Sequence, residues 1–276
     1  MRLRYLLTAA LIGLPALAGA QSGSEGGGAN FDVLDRRGEL LGWEAVGRVE
    51  GKDSICTGAL IARDIVLTAA HCLFEENGAP RPPESLTFRA GYHHGTQIVA
   101  QRVRRWVTPE RYARRAKPSH EMVALDVALL KLEAPVTIAE ADPFRLLDHL
   151  PDGSEVTVLS YGQGREEVLS REPSCAITAH YADDVLGFDC DVTFGSSGAP
   201  VFYRDNGRLR ILSVISASGI SASGGATAFG PGISALVPAL AARLRNEDAR
   251  PIASSGARRI TVGGGRDGTG ARFVRP

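Results

Sequence analysis

From residue 42 onward, short apolar runs alternate with turn-forming residues. Runs at 43–49, 59–67, 86–89, 97–106, 123–132, 155–160, 201–203 and 209–215 are rich in Val, Ile and Leu, and Gly, Pro, Asn or Asp separates them. That pattern predicts the strands of an all-β sandwich or barrel. Asp205-Asn206-Gly207 lies between the last two runs and predicts a tight hairpin. One stretch has a different period. Leu236, Leu240 and Leu244 recur every fourth residue across 234–246, after Pro231-Gly232, which predicts a C-terminal helix. A boundary between two similar β halves is expected near 143–153.

The two ends depart from this pattern. Arg2 and Arg4 precede an apolar run from Leu6 to Leu17, and Ala18-Gly19-Ala20 supplies small residues suited to cleavage. Residues 1–20 therefore read as a secretory signal peptide cut after Ala20, which predicts a secreted or periplasmic protein. The run is short for a membrane span and contains Pro15, and no membrane span is expected elsewhere. Residues 21–30 read as a flexible Gly- and Ser-rich leader, and 251–276 as a disordered, basic, Gly-rich tail.

Composition narrows the class further. The 276 residues carry no net charge, which argues against nucleic acid as a main partner. Export permits disulfides, and the chain has four cysteines: Cys56, Cys72, Cys175 and Cys190. Three connectivities are open, and local pairing within each half is the simplest if each half folds as a unit. The spacings do not resemble a clustered zinc motif.

Three segments carry the candidate chemistry. Thr68-Ala69-Ala70-His71-Cys72 places a histidine beside a half-cystine after an apolar run. Asp126 interrupts the apolar stretch 125–132, where a buried carboxylate needs a partner. Ser197 lies in Gly195-Ser196-Ser197-Gly198-Ala199-Pro200, where small residues allow a tight turn. A base, a carboxylate and a hydroxyl are the parts of an activated nucleophile.

With Cys56-Thr57-Gly58-Ala59-Leu60-Ile61 ahead of the histidine, these segments resemble the trypsin-like (chymotrypsin-fold) serine proteases over most of 31–246. The likeness is greatest to bacterial secreted trypsin-like and glutamyl-endopeptidase-like members. The resemblance implies a protease domain over 31–250, made of two six-stranded antiparallel β-barrels with a C-terminal helix. It implies His71 as general base, Asp126 as its orienting carboxylate and Ser197 as nucleophile. The backbone amides of Gly195 and Ser197 would form the oxyanion hole. The family's histidine-loop disulfide implies Cys56–Cys72, with Cys175–Cys190 as the second local pair. The implied activity is hydrolysis of protein or peptide substrates by a monomer, with no cofactor and no metal.

Departures from the family bear on regulation and specificity. Members activated by a new N-terminus place Asp before the nucleophile, where this chain has Ser196. An activation switch of that type is not expected. Arg36-Arg37 offers a processing site or simply an exposed basic pair. Asp191, six residues before Ser197, is a candidate pocket carboxylate, with Ser216 and Ser218 as further substrate-binding candidates. Ser216 could equally support Asp126. The pair His93-His94 and His120 suggest metal binding but read better as exposed loop histidines; the Arg-rich stretch 102–115 suggests an acidic partner or an outer-membrane headgroup but reads better as a solvated loop. Two other functions fit parts of the sequence: a catalytically silent binding module, and an esterase with the same triad. All three triad members are present, which disfavours the first. The order His-Asp-Ser and the lack of a Gly-x-Ser-x-Gly elbow disfavour an α/β-hydrolase.

Overall fold

The computed structural model describes residues 31–115, 117–220 and 226–248. The signal peptide, leader and tail assigned from sequence lie outside the described residues. A short strand, β1 (Asp32–Val33), leads into β2 (Val46–Gly51), β3 (Ser54–Ala62), β4 (Ile65–Thr68), β5 (Thr87–Ala90), β6 (Val99–Val107) and β7 (Ala128–Leu132). Strands β2 to β7 close into a six-stranded antiparallel barrel in the order β2-β3-β4-β7-β6-β5. The run 59–67 is two strands rather than one, because Arg63-Asp64 turns the chain back between β3 and β4. The start of the run 123–132 is a short helix, α1 (His120–Ala124). Ser119 starts it by accepting the Met122 amide at 3.2 Å, so capping overrides an apolar pattern that suits a strand.

The second half contains β8 (Arg145–Leu146), β9 (Glu155–Ser160), β10 (Ser170–Tyr181), β11 (Val185–Phe188), β12 (Pro200–Asp205), β13 (Arg208–Val214), β14 (Ala217–Ile220) and β15 (Ala226–Pro231). These form a nine-stranded sheet in the order β14-β15-β11-β10-β9-β12-β13-β8, with β1 paired to β10. The sheet is therefore larger than the expected six-stranded ring, and its β8–β13 pair is parallel. The sheet bends back on itself at one point, where β13 meets the end of β15: Ser213 bridges Gly232, and the Ser213 hydroxyl donates to the Pro231 carbonyl at 2.8 Å. Gly230 permits this approach, since a Cβ there would stand 2.1 Å from the Val214 carbonyl. The β12–β13 hairpin turns at Asn206 (φ 48°) and Gly207 (φ 78°), the left-handed pair that a two-residue turn requires.

The two halves meet on a shared apolar core. Trp43, Phe144 and Phe202 pack there at tilted or edge-on angles, with Phe144 and Phe202 centred 4.6 Å apart. Each such buried side chain contributes about 1.5–3 kcal/mol through apolar burial. The C-terminal helix α2 (Leu236–Asp248) buries Val237, Leu240 and Leu244 in this core. Among the described residues, no helix is long and apolar enough to cross a membrane.

Candidate active site

Strand register brings the histidine and the aspartate together. Thr68 at the end of β4 faces Ala128 at the start of β7, so His71 and Asp126 lie just beyond the same end of this pair. A 3-10 turn over Ala70–Leu73 presents His71, and the Cys56–Cys72 disulfide (S–S 2.08 Å) ties that turn to β3. Asp126 is fully buried and meets His71 twice. Its Oδ1 accepts the His71 backbone amide at 2.8 Å, and its Oδ2 lies 2.7 Å from His71 Nδ1. The Ser216 hydroxyl donates to the same Oδ2 at 2.5 Å. Burial pushes the Asp126 carboxyl upward, but the His71 charge and the hydrogen bonds from His71 and Ser216 outweigh it. The pKa consequently lies below the ordinary aspartate value. Tyr112 is buried nearby, where desolvation and the Asp126 charge push its phenol upward.

Ser197 lines a cleft of about 870 Å³ together with His71, Ser216, Gly195 and Phe194. No hydrogen bond joins Ser197 to His71 among the described residues, and such contacts commonly tighten only around substrate. The neighbouring hydroxyl is placed differently. Ser196 is fully buried, bonds Ser160 Oγ at 3.1 Å and accepts the Thr193 amide at 3.3 Å. Two glycines shape the turn around Ser197. At Gly195 (φ +88°) a Cβ would stand 2.2 Å from the Tyr161 carbonyl, and at Gly198 (φ +75°) it would stand 2.2 Å from Thr68 Oγ1.

Thr57 was not visible as a site residue in sequence, where a threonine in a strand reads as an ordinary β-former. It joins the two halves at the nucleophile turn. Its amide donates to the Ser197 carbonyl at 2.8 Å, and its hydroxyl donates to the Gly195 carbonyl at 2.9 Å. The same hydroxyl accepts the Tyr161 amide at 3.0 Å. Thr57 is fully buried, and its carbonyl accepts the Thr68 hydroxyl at 2.8 Å. The only sequence signal available was its position, between the half-cystine Cys56 and the small Gly58-Ala59 step.

The other sequence candidates are distributed around this centre. Ser218 lies on β14 beside a separate apolar pocket that it lines with Tyr181, Val185 and Phe229. Asp191 is not among the residues lining the cleft. Its amide donates to Glu172 Oε2 at 2.9 Å, and its charge acts on Arg165 and Glu172. The Arg165 guanidinium in turn stacks 3.5 Å above the Phe31 ring. Cys175 and Cys190 are bonded to each other at 2.06 Å. All four cysteine sulfurs are thus in disulfides, so the cysteine-containing groups around His71 and Glu172 offer no thiolate to a metal.

Glu172 gives a stability prediction. Burial pushes its carboxyl up to about 7, from an ordinary value of 4.5. The Asp191 amide opposes this, while the charges of Asp191 and Asp189 add to it. A raised folded-state pKa stabilises fully below the unfolded value and is lost as pH rises through the folded value. Wild-type stability should therefore fall between about pH 4.5 and 7, by up to ~3 kcal/mol from this group. Glu172→Gln should remove that slope. Urea unfolding in a Ser197→Ala background should show the variant gaining on its parent between pH 4.5 and pH 8; an equal difference at both pH values contradicts this reading.

A closed barrel joined to a second curled sheet, with a cleft lined from both, is the chymotrypsin-like fold. The comparisons give the family: the chain belongs to the trypsin-like peptidase domain family, matched over residues 56–210. A solved Glu endopeptidase in complex with MPD has a similar fold, with a TM-score of 0.63 and 17% sequence identity. That similarity covers 81% of this chain and 99% of the other. No curated protein matches the chain in sequence.

Proposed function

We propose that this endopeptidase works through a His71–Asp126–Ser197 triad and an acyl-enzyme intermediate. The observation that carries the reading is the buried Asp126 carboxylate gripping both the His71 backbone amide and Nδ1 at the edge of the cleft that Ser197 lines. The carboxylate holds the imidazole with Nδ1 protonated, leaving Nε2 free to accept the Ser197 proton. Ser197 Oγ then attacks the peptide carbonyl, and His71 passes the proton to the leaving amine. Water repeats the sequence on the ester and frees the enzyme.

The Gly195 and Ser197 amides would receive the oxyanion. Among the described residues, neither donates a hydrogen bond within the protein. The Phe194 carbonyl accepts the Gln163 amide at 2.6 Å, and a trans peptide turns the Gly195 N–H the opposite way. Thr57 acts as a positioning residue by holding the Gly195 carbonyl on the far side of that turn. Thr57→Val should lower kcat about tenfold or more with KM little changed, and Thr57→Ser should recover most of the loss. Equal effects on kcat and KM, or no rescue by serine, would contradict this role.

Among the described residues, no strand pairs with the outer edge of β14, next to Ser216. An extended peptide pairing there would run along the cleft and offer a side chain to the apolar pocket of about 420 Å³. The two disulfides suit an oxidising compartment, and we place the enzyme outside the cytoplasm. Incubating the purified chain with a peptide library tests the activity. Cuts at internal peptide bonds are expected; hydrolysis of simple esters alone would favour the esterase reading.

A further inference from the structure

In sequence His93-His94 reads as a pair of loop histidines, with metal binding the weaker alternative and no further ligand named beside them. The fold supplies one from a distant segment. Asp35, just after β1, places Oδ1 at 3.1 Å from His93 Nε2 and 3.0 Å from His94 Nε2. The Asp35 carbonyl oxygen lies 2.9 Å from the same His93 nitrogen. The two rings meet edge to face, 4.6 Å between centres, and all three donor atoms lie within 4.8 Å of one another.

The loop beneath these side chains is fixed by its backbone. The His93 amide donates to the Thr96 carbonyl at 2.8 Å, and the Thr96 hydroxyl returns a bond to the His93 carbonyl at 2.7 Å. The His94 amide donates to the Glu167 carbonyl at 2.7 Å, which ties the loop to the second half of the molecule. His94 adopts a left-handed backbone (φ 44°), and that turn aims its ring at Asp35 beside the ring of its neighbour.

We propose that Asp35, His93 and His94 bind a late first-row divalent ion, with Zn²⁺ the best fit. Two imidazole nitrogens and a carboxylate oxygen are borderline donors that suit zinc, nickel or copper rather than calcium or magnesium. Zinc bonds of about 2.0–2.2 Å at tetrahedral angles put donors about 3.3–3.5 Å apart. The observed nitrogen–oxygen separations need to open by only a few tenths of an ångström. The ion would replace the imidazole protons that otherwise join these groups as a simple hydrogen-bonded clamp, and water would complete its shell. It would staple three segments: the chain after β1, the β5–β6 loop of the first barrel and, through Glu167, the loop ahead of β10.

The proposal is independent of the triad, so it is tested in a Ser197→Ala chain that cannot digest itself. Zn²⁺ is titrated against a chromogenic chelator, and Co²⁺ spectra are recorded in parallel. One ion per chain is expected, with a visible Co²⁺ band and a rise in unfolding temperature that EDTA reverses. Asp35→Asn and His94→Asn should each weaken binding about tenfold or more and abolish the thermal shift; asparagine tolerates the left-handed backbone at residue 94. His180→Asn, at a histidine paired with Asp152 elsewhere, should leave binding unchanged. Failure of the parent chain to bind zinc overturns the proposal and leaves the cluster a hydrogen-bonded clamp. So does binding that Asp35→Asn and His94→Asn alter by less than twofold.

Discussion

Ser197→Ala is expected to lower kcat by about 10⁶-fold while leaving the fold intact. The side chain removed lines the cleft, and its surroundings are held by backbone rather than by its hydroxyl. The Ser197 carbonyl still accepts the Thr57 amide, and Gly198 still donates to the Ile215 carbonyl at 2.7 Å. The variant should therefore unfold at the temperature of its parent. It should retain substrate affinity, because the cleft and the edge of β14 are unchanged. Ser196 cannot substitute, since its hydroxyl is buried against Ser160 and Thr193. Ser196→Ala should accordingly retain the reaction. Steady-state peptide hydrolysis by the two single variants makes the comparison; activity surviving in Ser197→Ala contradicts the assignment.

Asp126→Asn should cost about 10⁴-fold in kcat through the tautomer of His71. The His71 backbone amide donates to Oδ1, so the asparagine oxygen takes that position. Its NH₂ then replaces Oδ2, facing His71 Nδ1 and the Ser216 hydroxyl. An amide there donates to Nδ1, which puts the imidazole proton on Nε2 and leaves nothing to accept the Ser197 proton. The charge that stabilises the imidazolium is lost as well. Since hydroxide can take the proton when the imidazole cannot, residual activity should rise with pH. Hydrolysis rates across alkaline pH test this; a loss below about tenfold contradicts the orienting role.

The parts legible in sequence were those set by local pattern. The 155–160 run is the strand β9, the Asn206-Gly207 turn is a hairpin, and the leucines at every fourth position bury one face of α2. His71, Asp126 and Ser197 stood out as candidates because each sits in its own local motif; the fold puts His71 against Asp126 and on the same cleft as Ser197. Capping at Ser119 and the turn at Arg63-Asp64 divided runs that hydrophobicity alone joined. Strand β15 escaped notice because Ala, Thr and Gly make up most of it, leaving little apolar alternation. The relations of Thr57 to Gly195, and of Asp35 to His93 and His94, span 138, 58 and 59 residues, and only the folded chain creates them. Asp191 shows the complementary limit: an offset in sequence suggested a pocket carboxylate, while its surroundings are Glu172 and Arg165.

The most direct measurement is labelling of the folded, purified chain with a fluorophosphonate, followed by peptide mass mapping. Such a probe reacts with a serine only where a base, an oxyanion hole and an accessible hydroxyl act together. One adduct per chain on Ser197, lost in Ser197→Ala and strongly slowed in Asp126→Asn, is the expected result. An unlabelled folded chain, or an adduct on another residue, would contradict the triad.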